Sequence, residues 1–166
     1  PYDLFLQCEM AAAQTLSVVP SILHDIVTQG PTWPEPLLFI VSAASPLSRS
    51  LAKGFFRMYG PRLRQGYGLS EAINFSCVMP KLPEGEFFEE YVSQHPPVGK
   101  PIEEGSVRIK DGEVQIYSES LLLSYWRDPE LTQNLFTRDG WLKTGDLGHF
   151  RGDYLVLTGR IKDIIN

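Results

Sequence analysis

Apolar residues follow two rhythms along the chain. Short dense runs of Leu, Val, Ile and Phe at residues 16–19 and 37–41, bounded by Pro or small polar residues, predict strands. Between and after them the spacing widens to that of helices. Residues 21–29 read as a helix, with Pro20 suited to the first turn and Gly30 as the stop. Residues 47–59 carry Leu47, Leu51, Phe55 and Met58 at helical spacing, with Pro46 ahead and Gly60 behind. The start of this second helix faces the loop Ser42-Ala43-Ala44-Ser45. A strand running into a small-residue turn and then a helix is how α/β proteins offer backbone N–H groups to a ligand, and equally how they make an ordinary connection.

The rhythm then breaks. Residues 81–97 are rich in Pro, Gly and Glu with little apolar periodicity, which predicts a mobile surface excursion whose acidic run is solvated. Beyond it the pattern turns to strands. Residues 106–109 and 113–117 flank Lys110-Asp111-Gly112, a strong hairpin signal. Further short strands are expected at residues 155–157 and 162–165, with a turn at Gly152-Asp153 and one helix over residues 129–136. The expected fold class is α/β followed by β: part of an αβ sheet layer, then a small antiparallel sheet or distorted barrel. The expected division is an α/β portion over residues 1–97 ending in the acidic loop, a β-rich barrel-like portion over 98–158, and a hinge over 159–166.

Composition narrows the class of function. With 166 residues, 43% hydrophobic and 21% charged, the chain is large enough to bury a core of its own. The net charge is −5 with Lys and Arg scattered, which leaves nucleic-acid binding without support. Cys8 and Cys77 lie far apart and form no metal-ligand spacing, so a reducing, cytoplasmic setting fits. No run approaches the roughly 20 apolar residues of a membrane span. The chain opens at Pro1 and breaks off in the apolar pattern Ile161-Lys162-Asp163-Ile164-Ile165-Asn166, which reads as a fragment.

Candidate chemistry concentrates in Arg64-Gln65-Gly66-Tyr67-Gly68-Leu69-Ser70-Glu71. Gly66 and Gly68 allow close backbone approach, Tyr67 offers a flat face, Ser70 a hydroxyl for a phosphate oxygen and Glu71 a carboxylate for Mg²⁺. The same spacing also fits a structural loop with Glu71 as a capping or surface residue.

Several segments, in order, resemble the adenylate-forming superfamily of acyl-CoA synthetases, luciferases and peptide-synthetase adenylation domains. Ser42-Ala43-Ala44-Ser45-Pro46-Leu47 is similar to its Ser-Gly-Gly-Ala-Pro-Leu loop, and Tyr67-Gly68-Leu69-Ser70-Glu71 to its Tyr-Gly-x-Thr-Glu signature. Val98-Gly99-Lys100-Pro101, Gly112-Glu113-Val114 and Ser124-Tyr125-Trp126 resemble further family stretches. Asp139-Gly140-Trp141-Leu142-Lys143-Thr144-Gly145-Asp146 is close to Asp-Gly-Trp-x-x-Thr-Gly-Asp, and Gly159-Arg160-Ile161-Lys162-Asp163 to Gly-Arg-x-Lys-Asp.

The resemblance implies an ATP-dependent ligase that joins a small carboxylic acid to AMP and then passes the acyl group to a thiol. That thiol would be CoA or the phosphopantetheine of an acyl carrier protein. It places the backbone of Ala43, Ala44 and Ser45 along adenine, with Tyr67 on its face. Ser70 would hold the α-phosphate, Glu71 the Mg²⁺, and Asp146 both ribose hydroxyls, with Arg160 supporting ribose or phosphate. Lys162 would be the hinge of a C-terminal lid, and Ser42, Gly66, Ala72 and Asn74 would line the acyl pocket along the run from Ala72 through Ile73 to Cys77. The resemblance also admits a non-catalytic AMP-binding or interaction module derived from the family. A third reading, an α/β scaffold with accidental motifs, predicts no close approach of Tyr67, Glu71 and Asp146. The chain has no hydroxyl- and glycine-rich phosphate loop ending in lysine; Gly99-Lys100-Pro101 belongs to a different motif. The 166-residue chain alone is therefore expected to show no ligase activity. Steady pyrophosphate release by the purified chain with ATP, Mg²⁺ and an acid would contradict this.

Overall fold

A computed structural model of the chain describes residues 2–72, 74–103 and 105–163. They form two compact units, one of residues 2–66 with 79–97 and the other of residues 67–72, 74–78, 98–103 and 105–163. The division departs from the expected one, because Tyr67 to Val78 belongs with the β-rich part rather than with the α/β part.

The first unit alternates helix and strand. Helix α1 (Tyr2–Met10) precedes strand β1 (Thr15–Val18), helix α2 (Pro20–Gln29), strand β2 (Phe39–Ser42), helix α3 (Arg49–Tyr59) and strand β3 (Leu63–Tyr67), whose last residue falls in the other unit. The strands are parallel in the order β1-β2-β3, with Val18 opposite Ser42 and Ser42 opposite Gln65. Local chemistry sets the helix limits. Pro20 occupies the first turn of α2, and Gly30, at φ 62°, turns the chain out of it while its N–H caps the Ile26 carbonyl. In α3 the Ser48 hydroxyl accepts the Leu51 N–H at 3.2 Å, and Gly60 takes φ 68° at the far end. The buried faces of these helices are Leu23 and Ile26 on α2 and Ala52 and Phe55 on α3, and Ile40 and Leu63 of the sheet are buried as well.

Residues 81–97 do not form the expected surface excursion. They hold a short helix α4 (Glu84–Phe87) that runs into a wider π-helical turn (Phe88–Ser93), with Phe87, Tyr91 and Val92 buried. Phe87 stacks on Tyr91 at 4.4 Å between ring centroids and on Phe56 of α3 at 5.4 Å. Phe87 and Tyr91 are four positions apart, and that helical face was hidden among glutamates.

The second unit is antiparallel. A short pair, β4 (Cys77–Val78) and β5 (Lys100–Pro101), accompanies a four-stranded sheet ordered β6 (Val107–Lys110), β7 (Glu113–Ile116), β8 (Leu142–Arg151), β9 (Tyr154–Arg160). The β6–β7 hairpin turns through Asp111 and Gly112, at φ 52° and 82°, the conformation that two-residue hairpin loops require. Helix α5 (Pro129–Leu135) lies between β7 and β8, with the Asp128 carboxylate capping it through the Leu131 N–H. The core gathers Tyr67, Cys77, Val98, Val107, Val114, Ile116, Leu142 and Leu155. The ten-residue strand β8, which contains Thr144-Gly145-Asp146, is not among the expected elements, and one reading needs correction: the strand expected at 162–165 begins instead in a 3₁₀ turn (Ile161–Asp163), its last two residues lying outside the described ones. No described helix is long and apolar enough to cross a membrane.

The Tyr91 hydroxyl accepts the buried Gln65 N–H of β3 at 3.0 Å. Tyr91→Phe leaves that N–H without its acceptor and is expected to lower unfolding stability by roughly 1–3 kcal/mol, read from the urea midpoint.

Candidate functional site

Tyr67 ends β3, and its side chain turns into the core of the second unit with only 7% of the residue exposed. A buried phenol needs a partner for its O–H, and this one donates to Asp146 Oδ2 at 2.7 Å. Arg160 Nε donates to the other oxygen, Oδ1, at 2.8 Å. Asp146 and Arg160 are direct cross-strand partners on β8 and β9, so the ladder itself sets their separation. The Asp146 backbone is fixed as well. Its N–H donates to Thr144 Oγ1, which in turn donates to the Val114 carbonyl, while the adjoining Gly145 N–H donates to Glu113 Oε1.

Burial, with the Asp146 charge adding to it, pushes the Tyr67 phenol far above its ordinary ionisation range and keeps it a donor. The hydrogen bond to Asp146, reinforced by its charge, raises Arg160 and keeps the guanidinium charged. Among the described residues, Asp146 thus has one side-chain donor on each oxygen. An ionised carboxylate offers about four lone-pair directions, so acceptor capacity remains for an incoming pair of hydroxyls.

The chain after Tyr67 folds back sharply. The Ser76 N–H donates to the Tyr67 carbonyl at 2.7 Å, and Asn74 adopts φ 65°, a left-handed conformation that Asn tolerates better than most residues. Gly68 sits inside this return, where a Cβ would fall onto the Asn74 carbonyl oxygen. Its glycine is required by the chain's own close approach. Ser70 and Glu71 stand on a 3₁₀ turn (Ser70–Ala72), with Ser70 exposed. Glu71 Oε1 accepts the Tyr125 hydroxyl at 2.7 Å, and that hydrogen bond pushes the Tyr125 phenol up to about 12.

Tyr67, Asp146 and Arg160 therefore lie in one hydrogen-bonded chain, with Ser70 and Glu71 on the turn that follows Tyr67. The hydrogen bond between Tyr67 and Asp146 runs against the accidental-motif reading, which expects no close approach of Tyr67, Glu71 and Asp146. Ala72 is buried in the core and borders a cavity of about 200 Å³ with Phe75, Ser76 and Ile116, while Asn74 is exposed; Ile73, in the same run, lies outside the described residues. Lys162 is exposed on the 3₁₀ turn after β9.

The remaining sequence candidates lie in the first unit. Ser42 ends β2 at 1% exposure, and its Oγ has no hydrogen-bond partner among the described residues. The Ala43 N–H donates to the Val18 carbonyl, Ala44 takes φ 69° and Ser45 is exposed. A left-handed conformation costs a non-glycine residue about 1 kcal/mol or more, which gives a physical sense to the glycine found here in the family pattern. Gly66 is a buried residue of β3. Sequence reasoning missed the parts played by Tyr125, Thr144 and Glu113. The only signal for Tyr125 was its place in a matching stretch to which no chemistry attached.

Comparison with known proteins adds an independent line. The model of the AMP-binding enzyme family matches residues 2–119. The long-chain-fatty-acid–CoA ligase FadD15 of Mycobacterium bovis is 38% identical over 127 residues, covering 75% of this chain and 19% of that protein. Among solved structures, the amide bond synthetase McbA from Marinactinospora thermotolerans is 26% identical with a TM-score of 0.80, covering 99% of this chain and 35% of that one. The McyG A-PCP structure complexed with phenylalanyl-adenylate is 22% identical with a TM-score of 0.85, over 98% of this chain and 33% of that one, a likeness of fold. The chain thus spans about a fifth of the FadD15 length and about a third of each solved structure.

Because the Tyr67 phenol is raised on folding, its contribution to stability is fully present below the ordinary phenol value of about 10 and is lost as pH rises beyond it. The Tm is expected to fall above about pH 10, and less steeply in Tyr67→Phe. Parallel Tm–pH curves for the two proteins would contradict the assignment.

Proposed function

Since the chain belongs to the AMP-binding enzyme family, we propose that it is part of an ATP-dependent carboxylic acid ligase that forms an acyl-adenylate and passes the acyl group to a thiol. The observation that carries this reading is the Tyr67–Asp146–Arg160 chain. It presents a fixed, partly satisfied carboxylate beside a charged guanidinium, a donor and acceptor set suited to a ribose with its phosphate.

In this reading Asp146 accepts the two ribose hydroxyls, and Tyr67, whose hydroxyl is already held, presents its ring rather than its O–H to adenine. Arg160, whose side chain is half exposed, donates from Nε to Asp146, and its Nη groups, without a hydrogen-bond partner among the described residues, can donate toward ribose or phosphate. Ser70, exposed on its turn, donates its hydroxyl to an α-phosphate oxygen. The fit of Glu71 to Mg²⁺ rests on its geometry. Tyr125 takes Oε1, and Oε2 is left without a protein hydrogen bond among the described residues. Mg²⁺ is typically held by one or two carboxylates together with substrate phosphates, so a single presented oxygen suits it. A cation held by Glu71 together with ATP would supply neutralisation of phosphate charge.

Adenine contacts from Ala43, Ala44 and Ser45, an acyl pocket at Ser42, Gly66, Ala72 and Asn74, and a hinge at Lys162 belong to the same proposal. So do CoA or a carrier-protein phosphopantetheine as acceptor and a cytoplasmic setting. The natural full-length protein carrying this chain should catalyse pyrophosphate exchange that depends on a carboxylic acid. Asp146→Ala and Glu71→Ala in that protein are each expected to slow adenylate formation by about 100-fold or more, the scale of losing two charge-assisted contacts. Wild-type rates in both variants would remove the site assignment.

A further inference from the structure

The stretch Ser124-Tyr125-Trp126 matches the family pattern, yet the sequence attaches no chemistry to it. In the structure the connection between β7 and α5 is fastened to Glu71 at two points. The Leu122 N–H donates to the Glu71 carbonyl at 2.8 Å, and the Tyr125 hydroxyl donates to Glu71 Oε1 at 2.7 Å. One residue is held by both its main chain and its side chain from the same segment.

Tyr125 is itself anchored. Its N–H donates to Thr132 Oγ1 at 2.9 Å, and that hydroxyl donates to the Asp128 carbonyl at 2.7 Å. Asp128 caps α5 through the Leu131 N–H, so the backbone of Tyr125 is tied to the first turn of that helix. A glutamate on an open turn samples several rotamers, and a ligand that needs one of them must oppose that freedom. A hydroxyl fixed on one carboxylate oxygen removes it beforehand and orients the other oxygen.

We propose that Tyr125 is a positioning residue, holding Glu71 Oε1 so that Oε2 is presented to the divalent cation that accompanies the nucleotide. The inference rests on the ligase reading and extends it to a residue 54 positions further along the chain. Tyr125 does not touch the reacting atoms in this scheme. It acts through Glu71, and its effect must vanish when Glu71 can no longer bind the cation.

The test uses the full-length protein in four forms: wild type, Tyr125→Phe, Glu71→Gln and the double variant. Mn²⁺ affinity with a non-hydrolysable ATP analogue is read by electron paramagnetic resonance, and KM for Mg·ATP and kcat by pyrophosphate exchange. Because Tyr125 is partly exposed and Phe keeps the ring, Tyr125→Phe is expected to hold a wild-type Tm. It should weaken Mn²⁺ binding about 10-fold, the scale of one hydrogen bond to a charged group, and raise KM more than it lowers kcat. In the Glu71→Gln background the same change should cost less than about twofold, since the two act as a unit. Unchanged Mn²⁺ affinity in Tyr125→Phe, or equal losses in both backgrounds, would overturn the positioning role while leaving the ligase reading in place. A wild type that binds the Mn²⁺–nucleotide pair but performs no acid-dependent exchange would defeat the ligase reading instead, and one that binds neither would defeat both.

Discussion

A single buried carboxylate, Asp146, organises the second unit around the candidate site. It is taken out of water on a strand, where an ionised group without partners would be costly, and two donors from distant parts of the chain compensate it. One donor fixes the end of β3 and the start of the Ser70–Ala72 turn. The other fixes the end of β9. The requirement to satisfy one charge therefore sets the positions of three segments, and the neighbouring groups inherit their geometry from it.

The same economy recurs at Glu71. This carboxylate is less buried than Asp146, and its partner is a neutral phenol rather than a guanidinium, so its charge is oriented but not neutralised. The contrast fits two different tasks. A carboxylate that receives neutral hydroxyls can sit beside a cation of the protein, while one that receives a metal ion keeps its full negative charge. Arg108, which pairs with Asp139 through both of its terminal nitrogens and lies over the Trp141 ring, shows the other use of such pairs in this unit. It fastens the surface of the sheet.

Elements with strong local punctuation could be read from the chain. The helices α2 and α3 have Pro20, Gly30 and Gly60 at their ends, and the β6–β7 hairpin has Asp111-Gly112, residues whose backbone preferences are the conformations found. Elements held by packing could not be read. In residues 84–93 the buried pair Phe87 and Tyr91 is outnumbered by glutamates. Strand β8 contains Gly145 at φ 72° and a register shift beside Gly148, where a Cβ would approach the Val156 carbonyl to 2.7 Å. Those irregularities erase the alternation by which a strand is recognised. The candidate site was legible only through resemblance, because the residues that meet at Asp146 and at Glu71 are far apart in sequence. Tyr125 escaped even that route, since a motif match conveys order along the chain but not which side chain holds which.

The hydrogen bond from Tyr67 to Asp146 joins residues 79 positions apart. During synthesis the turn bearing Ser70 and Glu71 leaves the ribosome well before the strand that completes it, and it must wait with its phenol unpaired. The local hairpin of β6 and β7 can form in the meantime, but the carboxylate arrives only with β8 and its second donor only with β9. Closing so long a loop is slow compared with local pairing, so the site belongs to the late steps of folding and to the part of the protein that chaperones would have longest to guard.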